Sequence, residues 1–278
     1  MSAMNEPRTI TIKPSKGWAA LNLRDLWNYR ELIFFFTWRD LKVRYKQTLL
    51  GAAWAILQPF LTMIVFSIFF GGLAKVPSDG VPYPIFSYAA LLPWTLFSKA
   101  LQDASRSLVS SANIISKVYF PRLILPLSST LAGLVDFVIA LVVLVGMMFF
   151  YGIQPTANTW TLPLFVLLAL ITAIGVGLWL SALNVMYRDV GYIIPFLTQF
   201  WMYITPIAYP ASMVPDQWKF LYALNPLTGV VEGFRWALLG TGAGPSYTLL
   251  ISASIAILLT ISGLFYFRRM ERKFADMV

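Results

Sequence analysis

The sequence predicts an all-α integral membrane protein with six transmembrane helices. An amphipathic helix precedes them, and a re-entrant pair of half-helices separates the fifth from the sixth. Composition is the first observation: of 278 residues, 58% are hydrophobic and 12% charged, with mean hydropathy +0.70. A soluble domain carries about 25% charged residues. The second observation is a set of six apolar stretches of about the length that a bilayer requires. The third is a lopsided distribution of Lys and Arg.

The expected spans cover 51–73, 84–100, 123–151, 160–186, 192–209 and 247–267. If they alternate across the membrane, 18 of the 21 basic residues fall on one side and only Lys75, Lys219 and Arg235 on the other. Cytoplasmic loops concentrate Lys and Arg, so both termini are expected in the cytoplasm. The first 20 residues lack the apolar core of a secretory leader, and the first span is expected to act as the insertion signal.

Residues 1–20 read as a tail, 21–47 as the amphipathic cytoplasmic helix and 48–278 as the membrane domain. Within the helix, Leu23, Leu26, Trp27, Ile33, Phe34, Trp38, Leu41 and Tyr45 recur every three or four residues, interrupted by Phe35 and Phe36. A basic helix with Trp on its apolar side suits either the membrane surface or a soluble partner. The loop 103–120 carries Ile114, Ile115, Val118, Tyr119 and Phe120, too apolar for free solution. These residues lie on lipid or in a pocket of another protein.

Segment 211–244 is semi-polar, and Asn225-Pro226 divides it into two pieces of about half a membrane span. Glu232 and Arg235, three apart, can pair on a helix face. A re-entrant pair needs protein or a water-filled cavity beside it, whereas an amphipathic loop would lie flat on lipid.

Composition excludes much chemistry. The chain has no Cys and no His, which removes thiol and imidazole catalysis and the metal sites that need those ligands. No Gly-Lys dipeptide occurs, so no phosphate-cradling loop is present and any ATP must bind another chain. Asp136 is the one carboxylate plainly within a span. An intramembrane carboxylate is costly, and it marks either function or a helix-helix hydrogen bond. Aromatics recur on span five at Tyr192, Phe196, Phe200 and Tyr203, and span one carries Phe60, Phe66, Phe69 and Phe70. Such faces can line a saccharide path or simply pack against lipid.

Four blocks bring a resemblance. RDLKVRYKQTLLGAAWAILQP (39–59), NIISKVYFPRLILP (113–126), NVMYRDV (184–190) and NPLTGVVEGFRWALLG (225–240) resemble, in order, the signature blocks of type-2 ABC exporter permeases. Within that family the chain is most similar to the exporters of lipid-linked polysaccharide: O-antigen, capsule and teichoic acid. The resemblance implies a homodimer with a channel at its interface, in the bacterial inner membrane, bound to two copies of a separate ATPase that holds ATP and Mg. This chain would then hold no cofactor or metal, perform no catalysis and bind no nucleic acid. By the same analogy, 21–47 is an interface helix. Arg39, Lys42, Arg44 and Lys46 would meet the diphosphate linker of the lipid carrier, and the span-one and span-five aromatics would line the channel. Asn113, Ile114, Ile115, Lys117, Tyr119 and Phe120 would couple to the ATPase, with Trp218, Tyr222, Asn225, Pro226, Glu232 and Arg235 at an outer gate. The rival readings are an exporter of a small lipid or drug, a proton-driven flippase using Asp136, and a membrane enzyme acting on lipid-linked sugars.

Overall fold

The computed structural model describes residues 23–46, 51, 53–242, 244, 246–271 and 274, and among them every regular element is helical. The ends of the expected tail and interface helix (1–22 and 47) lie outside the described residues. Two helices, α1 (Leu23–Asn28) and α2 (Arg30–Lys46), lead to α3 (Ala53–Phe66), which continues as a π-helical turn over Ser67–Leu73. Then come α4 (Tyr83–Ser110), the short α5 (Ala112–Ile115), α6 (Ile124–Phe150), α7 (Leu162–Met186) and α8 (Val190–Ile204). The chain closes with α9 (Asp216–Ala223), α10 (Pro226–Leu239) and α11 (Tyr247–Glu271).

Among the described residues, four segments are long and apolar enough to cross a bilayer: Ala53–Leu73, Ile124–Phe150, Ala157–Met186 and Tyr247–Glu271. The expected spans shift at their ends, and two depart furthest from their sequence bounds. The stretch 84–100 is only the first part of α4, a rod of 28 residues, or about 42 Å at 1.5 Å per residue. Its later turns carry Lys99, Asp103 and Arg106, which ended the apolar run without ending the helix. The stretch 192–209 overshoots α8, which has 15 residues and stops at Ile204. Thr205 is extended because Pro206 follows it and disfavours helical geometry at the residue before.

The core is built around α4, which packs on α3, α6, α7, α8 and α10. Phe86, Tyr88, Leu92, Phe97, Phe137, Phe165 and Phe234 fill its centre. A second cluster at the basic end joins Phe36, Leu108, Ile115, Phe120, Leu178, Phe267 and Phe274. The α7–α11 crossing is close enough to require glycine. A Cβ on Gly263 would sit 2.3 Å from the Gly175 carbonyl oxygen, and one on Gly175 2.7 Å from the Thr260 nitrogen.

Candidate functional site

At the basic end, α2 is held by Phe36, the residue that interrupts its apolar stripe. Phe36 is buried at 3% exposure and meets the Phe120 ring at 5.6 Å, whereas Trp27, Phe34, Phe35 and Trp38 are exposed. The stripe predicted from spacing therefore divides: Trp27, Phe34 and Trp38 face away from the bundle, whereas Leu26 and Ile33 pack half-buried against the second cluster. Three contacts then run α2 along the first half of α6. The Thr37 hydroxyl donates to the Ser128 carbonyl at 3.3 Å, and the Ser129 hydroxyl donates to Asp40 at 3.1 Å. Farther on, Arg44 Nη1 meets Asp136 Oδ2 at 2.5 Å.

Asp136 is thus far from solitary. Its carboxylate accepts from Arg44, from the Tyr45 hydroxyl and from Lys99 Nζ at 3.5 Å, while Arg44 Nη2 also reaches Asp103 Oδ2 at 2.6 Å. The sequence hid this cluster, because Arg44 and Lys99 lie 92 and 37 residues from Asp136. The four basic residues expected at a diphosphate linker divide accordingly. Arg44 is spoken for by two carboxylates, and Arg39 pairs with Asp40 at 2.8 Å above the Phe36 ring. Lys42, which lies over the Trp38 ring, and Lys46 are exposed.

The turn after α4 divides as well. Ile115 and Phe120 are buried in the second cluster, and Ile114 is half-buried. Asn113, Lys117, Val118 and Tyr119 face outward, Tyr119 at 72% exposure. Arg122 ties the turn to the end of α11 by donating to the Glu271 carbonyl at 2.6 Å. Asn184 binds α7 to α4 through the Ser105 carbonyl at 3.1 Å. A polar cavity of about 210 Å³ lies among residues 115–120 and Arg122.

The span-five aromatics form one exposed row along α8: Tyr192, Phe196, Phe200 and Tyr203, at 84, 70, 56 and 58% exposure. The opposite face packs through Ile194 and Thr198, with Trp201 edge-on to Phe97 at 5.0 Å. The span-one aromatics do not form a matching row. Phe66 is buried against Phe70 at 5.3 Å, and Phe69 is exposed. Phe60 lines an apolar groove of about 620 Å³ between α3 and the far half of α6.

At the opposite end, Asn225 caps α10 by accepting from the Leu227 N–H at 3.1 Å, and Pro226 takes the first position, where a missing N–H costs nothing. Its amide also accepts from Trp201 Nε1 at 2.8 Å and donates to the Thr205 hydroxyl at 3.0 Å. Arg235 does pair with Glu232, at 3.3 Å. Its main partners are backbone carbonyls: Pro206 and Ile207 at 2.7 Å each, and Phe86 at 3.3 Å, with the guanidinium 3.5 Å above the Phe86 ring. Spacing revealed the carboxylate partner and missed the carbonyls. Trp218 is exposed on α9, and the Tyr222 hydroxyl bonds that of Tyr209. The α10 helix itself is buried along most of its length.

Comparison with known proteins bears on this arrangement. Residues 31–239 match the family profile described as ABC-2 type transporter. An O-antigen export system permease protein RfbA of Klebsiella pneumoniae is 28% identical over 249 residues, covering 89% of this chain and 95% of the relative. One of the same description from Myxococcus xanthus is 28% identical over 259 residues, covering 92% and 98%. The polysialic acid transport protein KpsM of Escherichia coli is 23% identical over 238 residues, covering 84% and 91%.

Proposed function

Because the chain belongs to the ABC-2 type transporter family, we propose that it is the membrane permease of an ATP-driven exporter moving lipid-linked polysaccharide out of the bacterial cytoplasm. The observation that carries this reading is similarity over nearly the full length of relatives described as O-antigen export permeases, with a polysialic acid transport protein behind them. The permease works as a homodimer with its channel between the two copies. Two copies of a cytoplasmic ATPase drive it, holding the ATP and Mg that this chain has no loop to bind.

Both termini lie in the cytoplasm, and α4 and α8 complete six crossings. At about 22 Å, α8 is short for a 30 Å hydrocarbon core, so residues 205–225 extend the path toward the outer surface. There α9 and α10 form the re-entrant pair. The exposed α8 aromatics are the channel wall this reading favours, since ring faces give a sliding sugar chain many weak contacts. Lys42 and Lys46 take the diphosphate linker, and Asn113, Lys117, Val118 and Tyr119 seat in the ATPase.

The test is reconstitution of the purified permease–ATPase complex with a fluorescent lipid-linked polysaccharide. ATP-dependent transfer of the polymer to the far side is expected. Changing Lys117 and Tyr119 together to Asp should release the ATPase while leaving the permease folded, because both side chains face solvent. Transfer of short-chain lipids but no polymer would favour the exporter of a small lipid. Transfer without ATP would sink the ATP-driven reading altogether.

A further inference from the structure

The cluster around Asp136 joins three elements: α6 already packs against both α2 and α4, and the cluster is where α2 also reaches α4. Asp136 stands on α6, Arg44 and Tyr45 on α2, and Lys99 and Asp103 on α4. Lys99 and Asp103 are four apart, so they share one face of α4. Two cations face two carboxylates, leaving no net charge in the cluster to draw in an anion. It lies deep, because Asp136 is 12 residues, about 18 Å, along α6 from Ile124. From Asp103 the α4 rod runs unbroken to Ser110, and α5 with the exposed Lys117, Val118 and Tyr119 follows directly. A side chain that only filled space here would need no charge, and a buried carboxylate without a partner is strongly destabilising.

We propose that Asp136 is a positioning residue whose carboxylate seats α2 against α6 and locks it to α4. A push on the turn after α4 then moves α2 together with α4 and α6. The proposal rests on the ATP-driven permease reading above, since it assigns Asp136 to the step that converts partner movement into transport. It also assigns the charge, not the volume, as what matters.

That distinction sets the experiment. Asp136→Asn keeps the shape and removes the charge, while Asp136→Glu keeps the charge and lengthens the side chain. Both are prepared as full complexes with the ATPase and checked for a single monodisperse species. The chain has no Cys, so Cys placed at the exposed Val43 on α2 and Val138 on α6 accept spin labels selectively. Expected for Asp136→Asn are ATP hydrolysis within about twofold of wild type, export lowered by about tenfold or more, and a broadened α2–α6 distance distribution. Asp136→Glu should restore both export and the narrow distribution to near wild type.

The proposal falls if Asp136→Asn exports at the wild-type rate, or if Asp136→Glu is the worse of the two, because volume would then govern. It falls equally if Asp136→Asn loses export while α2 stays seated. Failure of the underlying function reading looks different: the wild-type complex itself would not export polymer, yet the spin-label distances would still report whether Asp136 seats α2.

Discussion

Two arginines grip the two ends of the α4 rod, and they do it with different chemistry. Near the basic end, Arg44 reaches α4 through a carboxylate, Asp103, and bridges from there to Asp136. Near the other end, Arg235 reaches α4 through the Phe86 carbonyl and ring, and spends its remaining donors on the carbonyls of Pro206, Ile207 and Tyr209. The Arg44 side chain is 27% exposed, that of Arg235 2%. An ion pair within reach of water can part at modest cost, because solvent compensates each charge. Carbonyls buried around a guanidinium have no second donor to turn to. The difference teaches that the Arg44 end keeps one pair, to the half-exposed Asp103, that water can reach beside the buried lock on Asp136, whereas the Arg235 end is buried scaffold throughout. On this view Arg235 and Asn225 hold the segment between α8 and α10 in place.

The largest expected effect breaks this contrast at its rigid side. Arg235→Met removes the donor from the carbonyls of four residues and leaves Glu232 half-buried without its cation. A loss of about 3–5 kcal/mol is expected, the range seen when one partner of a buried pair is deleted. Arg235→Lys should fall between, because a single ammonium cannot reproduce the planar fork. Arg44→Met should cost less than Arg235→Met, since Asp103 keeps access to water and the buried Asp136 keeps Tyr45 and Lys99 as partners. Thermal unfolding of the purified chain in one detergent ranks the three. Equal losses for Arg44→Met and Arg235→Met would dissolve the distinction.

A smaller effect sharpens it by asking how tightly α10 itself is packed. Gly233 faces Phe165 so closely that an added Cβ would lie 2.0 Å from Cε1 of the ring. Gly146, on the wall of the open α3–α6 groove, has nothing within 4 Å of the same position. Gly233→Ala should therefore cost about 1–3 kcal/mol, the usual range for overpacking, because Phe165 sits in the core and must move. Gly146→Ala should be neutral or slightly stabilising, since Ala is the better helix former. A neutral Gly233→Ala would mean that Phe165 has room to yield and that α10 is looser than Arg235 suggests.

These residues also show what the sequence could and could not convey. Four of the expected spans were legible because hydropathy and helix rise are local properties, whereas 84–100 and 192–209 missed the ends of their helices. The breaks at Pro206 and at Asn225-Pro226 lay within reach of the same reading, although only the second was recognised. The Glu232–Arg235 pair was legible for the same reason, its members being three apart on one helix. The Asp136 cluster was not, because its charges come from three helices and nothing in the local pattern pairs position 44 with 136. Phe36 was read as an interruption because periodicity assumes that the longer stripe is the buried one. Here α2 docks through Phe36 together with the half-buried Leu32 and Ile33, and Thr37, Asp40, Arg44 and Tyr45, polar and unremarked by hydropathy, add to its inward face. The turn after α4 was equally hidden, since nothing in its composition separates the buried Ile115 from the exposed Tyr119.

The smallest expected effect on stability belongs to the α8 row, and its smallness is what gives it value. Tyr192, Phe196, Phe200 and Tyr203 point away from the chain that carries them, while Ile194, Thr198 and Trp201 make the packing contacts. Replacing the four one at a time with Leu should change unfolding of the isolated chain by no more than about 0.5 kcal/mol, as for other surface positions. Leu is apolar enough to satisfy lipid equally well, yet it lacks the flat ring face that a sugar stacks on. A channel wall and a lipid-facing belt therefore part company on export alone. As channel wall, the Leu variants should slow polymer transfer while leaving ATP hydrolysis coupled to the same partner. If every one of them exports polymer normally, α8 faces lipid and the path must be lined by another element.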